Sequence, residues 1–123
     1  MPARTSTRPT PEAILAITND ISALLRNCFG KGPARSRGYV NDAYLFVVLE
    51  EVFIDFEETL LNHDDVATVR DVRTRFQEIV YDEIVSIVER HTGRRVVDYM
   101  SQVLTKANAV VEIFVLDDDR PSD

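Results

Sequence analysis

Two long stretches of the chain carry apolar residues at steps of three and four. In the first, Ile14, Ile17, Ile21, Leu24 or Leu25, and Cys28 form one stripe of a helix. Thr10-Pro11-Glu12 opens it: a threonine oxygen caps free amides, proline suits the first helical position, and Glu12 suits the positive end of the dipole. Gly30 is its stop. In the second stretch, Val66, Val69, Val72, Phe76, Ile79, Val80, Ile84, Ile87 and Val88 predict a helix over 66–91, capped by Asp64 or Asp65 and ended by Gly93. Asp55, three residues before Glu58, predicts the cap of a short helix over 56–61.

The remaining segments are rich in β-branched and aromatic residues. They predict strands over 36–40 and 43–49, turned by Asn41-Asp42, and over 95–104 and 109–116, turned by Lys106-Ala107-Asn108. The order is helix, β-hairpin, short helix, long helix, β-hairpin. That is an α+β fold, a four-stranded antiparallel sheet with helices packed on it.

A half-buried strand alternates apolar with polar residues, and two of these do not. Tyr44, Phe46 and Val48 point one way while Leu45, Val47 and Leu49 point the other. Val111, Ile113 and Val115 oppose Val110, Phe114 and Leu116, with Glu112 on the latter side. Two main helices can cover only one face of such a sheet, so the sequence predicts a homodimer formed through a sheet face or strand edge, over the alternative of a monomer whose first helix lies on the opposite face.

Composition narrows the classes. At 123 residues the chain is one domain. Residues 1–11 read as a flexible tail, 12–116 as the domain and 117–123 as an acidic tail. No apolar run approaches the roughly 20 residues of a membrane span, and the N-terminus lacks the apolar core of a secretory signal. A lone cysteine fits a reducing cytoplasm. The formal net charge is −7, and residues 12–116 alone carry 11 cations against 17 acids. No nucleic-acid partner is expected of such a domain.

Candidate chemistry is sparse. Cys28 sits on the first stripe as core filler, and His63 and His91 belong to no nucleophile motif. Asn62-His63-Asp64-Asp65 reads as a helix cap beside a solvated histidine rather than a ligand set. No catalytic centre, metal site or cofactor is expected. The segment "GKGPARSRG" is no Walker loop, and its glycines stop a helix and turn the chain. Eight of the 11 domain cations cluster in three groups: Lys31/Arg35/Arg37, Arg70/Arg73/Arg75 and Arg94/Arg95. Arginine forks suit oxyanions and acidic protein surfaces, though acids such as Asp20, Asp71 and Glu78 are available to pair with them.

Several motifs resemble the MpsC-like family. Gly30, Gly32 and Pro33 match its Gly-x-Gly-Pro connection; "VVLE" ends a strand; Arg73, Phe76 and Gln77 match its helix. Thr92-Gly93-Arg94, Ser101-Gln102 and a closing "EIFVL" complete the likeness over residues 12–116. Before the short helix this chain has "VFIDFEETL" where the family has Leu-Thr-Pro-Ala-Glu. The resemblance implies a component of a cation-translocating system that generates membrane potential and supports inorganic-carbon uptake, acting as an accessory or regulatory subunit, and it carries over no catalytic residues. Together the readings predict a cytoplasmic, non-catalytic interaction module, with a membrane transporter subunit as a candidate partner and no insertion of its own. Its anion- or partner-binding surface is Lys31, Arg35, Arg37, Arg73 and Arg94, with Ser101 and Gln102. The alternative reading is an anion-binding enzyme or small-anion sensor that uses the arginine cluster.

Overall fold

The computed structural model describes residues 8–117. Most of the segments read as flexible N-terminal and acidic C-terminal tails therefore lies outside the described residues.

Helix α1, Pro11–Phe29, begins as the sequence predicts: Ala13 N donates to Thr10 Oγ1 at 3.1 Å. It ends at Gly30, whose φ of 79° is the left-handed conformation open to glycine. Strands β1 (Arg35–Asn41) and β2 (Tyr44–Glu50) form the first hairpin, and α2 (Asp55–Asn62) and α3 (Val66–Thr92) follow. Strands β3 (Val96–Leu104) and β4 (Ala109–Leu116) form the second. Asp65 caps α3 by accepting from Thr68 N, and Gly93 closes it at φ 67°.

The cap of α2 corrects the sequence reading. Ile54, not Asp55, is the N-cap, and Glu57 rather than Glu58 bonds back to it, with Ile54 N donating to Glu57 Oε1 at 3.1 Å. Isoleucine offers no oxygen to the helix amides, so only half of a capping box forms.

The sheet order is β1-β2-β4-β3, antiparallel throughout, so the apolar β2 and β4 lie at its centre. Both long helices cover the same face. α1 lies on β1, α3 on β3, and the two pack against each other. Beneath them sit Leu45, Val47 and Leu49 of β2 and Val110, Phe114 and Leu116 of β4, buried against Ile17, Ile21 and Leu25 of α1 and Ile84, Ile87 and Val88 of α3.

Four positions on the predicted helix stripes are exposed, Val66 and Val72 of α3 among them. Cys28 is exposed rather than core, and Ile79 is 69% exposed. The inward stripe of α3 runs through Val69, Arg73, Val80, Ile84, Ile87 and Val88, so an arginine holds a core position.

Gly38 sets the approach of α1 to β1. A Cβ there would stand 2.4 Å from Ile14 Cγ2. Gly38→Ala therefore costs about 1–3 kcal/mol through overpacking, read as a lower urea midpoint with an unchanged slope.

Candidate functional site

One face of the sheet is left uncovered by the helices of the described residues. Strand alternation and the register place Tyr39, Phe46, Ile113 and Met100 in one row across it, and Arg37, Val48, Val111 and Gln102 in the next. Tyr44 and Val115 continue the apolar centre. No helix of the described residues lies over this face, and Tyr39, Tyr44 and Met100 are about half exposed. The rim carries both signs: Arg35 pairs with Glu50 at 3.1 Å, Arg37 stands on the same edge strand, and Asp98 lies on the β3 side.

The structure distributes the sequence-selected cations. Arg35 and Arg37 belong to the open face. Lys31 and Arg73 come together elsewhere, on the connection from β2 to α2. Lys31 Nζ donates to Phe53 O at 3.1 Å. The Arg73 guanidinium grips Glu57 with two bonds, Nε to Oε2 at 2.7 Å and Nη2 to Oε1 at 2.5 Å, and Nη2 also donates to Val52 O. It lies 4.0 Å from the Phe29 ring centroid. Asn108 Oδ1, from the β3–β4 turn, accepts from both Val52 N and Phe53 N at 2.9 Å. These bonds lash residues 52–57 to the body of the protein. Arg94 is at the far end of α3, where its Nη2 donates to Asp117 O.

Arg73, Ser101 and Gln102 do share one feature, a pocket of about 100 Å³ between α3 and the second hairpin. Gln102 curls back to donate to Val103 O at the free edge of β3. At the pocket lies a pair that sequence reasoning missed: Glu112, on the helix-covered side of β4, accepts from the Tyr99 hydroxyl. Tyr99 is stacked on Phe114 at 4.6 Å, with Tyr81 beyond it. The signal was the single acid among Val110, Phe114 and Leu116 on one strand face.

Burial pushes the Glu112 carboxyl up to about 7, against the smaller opposing pull of the Tyr99 and Ser101 hydroxyls. Burial, and then the charge of Glu112, raise Tyr99 out of the titrating range. The sign of the pH dependence follows. Folding favours the protonated acid, so the stability contributed by Glu112 is complete below its ordinary value of 4.5 and is lost as pH rises through about 7. Between those limits the wild type loses up to about 3 kcal/mol relative to Glu112→Gln, and the difference levels off above. Urea melts of both proteins across this range measure it.

Asp20 ties α3 to α1. His91 Nε2 lies 2.8 Å from its Oδ2, and Arg90 Nη2 donates to the same oxygen at 3.1 Å. The His91 hydrogen bond, with Arg90 behind it, holds the Asp20 carboxyl below its usual range. Among the described residues no group of three or more His, Cys, Asp or Glu side chains is placed to hold a metal ion. Nor is any helix long and apolar enough to cross a membrane.

A search of the curated proteins and of the solved structures returns no match. The family described as "Na+-translocating membrane potential-generating system (MpsC)" matches residues 12–118, nearly the whole chain. With its α+β order and its two-hairpin sheet in place, the chain belongs to the MpsC family.

Proposed function

We propose that this chain is a non-catalytic accessory module of a cation-translocating system, working in the cytoplasm as a homodimer closed through its open sheet faces. The carrying observation is that face: an apolar surface over the two central strands with no helix of the described residues above it. Burying a large apolar side chain gains about 1.5–3 kcal/mol before ordering costs. Exposed patches of this kind mark association sites.

A second copy is the occupant that the face fits. Its apolar centre and two-signed rim have the form of an isologous interface. Turning a copy about an axis along the strands lays the β1 edge, with Arg35 and Arg37, over the β3 edge, with Asp98 and Gln102. Aligned sheets pack in this way at about 10 Å.

The module acts by binding. Cys28 is exposed on α1, and among the described residues no hydrogen bond joins it to His91, which pairs with Asp20, or to His63, whose Nδ1 lies 2.8 Å from the Thr59 carbonyl oxygen. The family's description supplies the context, a Na+-translocating membrane system. Affinity purification from the native cell at low and moderate salt tests the accessory role. Co-purification of a membrane transport protein supports it, and recovery of the chain alone counts against it.

A further inference from the structure

The pocket beneath α3 pairs a buried acid with open space, and among the described residues no cation pairs with that acid. Glu112 is 4% exposed; the Tyr99 hydroxyl donates to it, and the Ser101 hydroxyl adds a smaller pull toward its charged form. Among the described residues no guanidinium or ammonium bonds to it. The groups facing the pocket from α3 include two cations, but Arg73 is neutralised by Glu57 and Arg70 is exposed, its charge screened by solvent. Thr74 and Gln77 of α3 and Ser101 of β3 also line the pocket with neutral side-chain oxygens. Leu25 is the contribution of α1, and β2 presents Val47 opposite Glu112.

A buried carboxylate without a cation is costly, and a charge brought into the adjacent space relieves that cost. One carboxylate balances one positive charge; a divalent ion would leave an excess in a low-dielectric site. Oxygen donors suit hard cations. A space of about 100 Å³ holds a few water-sized groups and excludes a nucleotide or a peptide. We infer that this pocket binds a compact monovalent cation, an alkali metal ion or ammonium, at the Glu112 carboxylate in exchange for its proton. Such a site goes beyond the dimer and accessory role, and neither depends on it.

Thermal melting of the purified chain tests the site, at one fixed ionic strength in the chlorides of sodium, potassium, ammonium and choline. Two conditions, about pH 6 and about pH 8, bracket the carboxyl midpoint. At least one small cation raises the Tm above its value in choline. Its apparent affinity strengthens by up to about tenfold per pH unit below the midpoint and then levels off. Titrating that cation into a weakly buffered solution releases protons. A response to ammonium alone assigns the ammonium ion, and a response to sodium or potassium alone assigns the alkali ion. Glu112→Gln abolishes both the shift and the proton release. Ser101→Ala, which keeps the carboxyl and removes one oxygen, weakens the binding and covers the case in which Glu112→Gln fails to fold. Identical melting in all four chlorides overturns the proposal, as does proton uptake on binding or a cation response that Glu112→Gln retains.

Discussion

Arg73→Ala costs about 3–5 kcal/mol, a large part of the roughly 5–15 kcal/mol that holds a domain of ordinary stability together. The loss is large because of what remains. Glu57 stays buried, its side chain 3% exposed, after both guanidinium bonds have gone. The Val52 carbonyl loses its donor and the Phe29 ring loses the cation over it. The damage spreads through one connection, since the same carboxylate half-caps α2 through Ile54 N. Urea unfolding of Arg73→Ala and of the double variant Arg73→Met with Glu57→Leu separates two causes. The double variant recovers most of the loss, because apolar side chains of similar volume leave no stranded charge. A single-variant loss below about 1 kcal/mol, the ordinary worth of an exposed pair, would contradict this reading.

Ile113→Arg weakens self-association by at least about 30-fold, the effect of losing a central interface contact worth about 2 kcal/mol. Ile113 lies in the middle of the open face, between Phe46 of β2 and Met100 of β3. In an isolated chain that surface meets water, so the folded monomer changes stability by about 1 kcal/mol or less. Sedimentation velocity over a concentration series reads the association, and circular dichroism reads the fold. Ile79→Arg is the matched control. That residue is more exposed than Ile113 but lies on the outer side of α3, and its substitution leaves the association constant unchanged.

The element order was legible because each signal is local. Thr10, Gly30, Asp65 and Gly93 act within one turn of their own position, and the helix ends they mark fall where the sequence places them. The two-sided strands were legible for a similar reason: alternation along β2 and β4 is a property of each strand alone. The cap of α2 shifted by one residue because Glu57 and Glu58 are both acids three residues from a plausible cap, and isoleucine is not a residue that announces one.

The candidate site was less legible because its pairings run through space. Spacing alone puts Arg73 on the stripe of Val69, Val80 and Ile84. Only the fold brings Glu57, from another helix, to neutralise it. Glu112 showed itself as one acid on an apolar strand face, but its acceptance of the Tyr99 hydroxyl depends on the register between β3 and β4. Cys28 went the other way: it kept the stripe's spacing in the last turn before Gly30, and there it is exposed.

Light scattering on the purified chain at micromolar concentration most directly tests the unroofed β-surface as a self-association site. A single species at twice the 14.0 kDa chain mass is the predicted result. A stable 14.0 kDa monomer over the same range would contradict it.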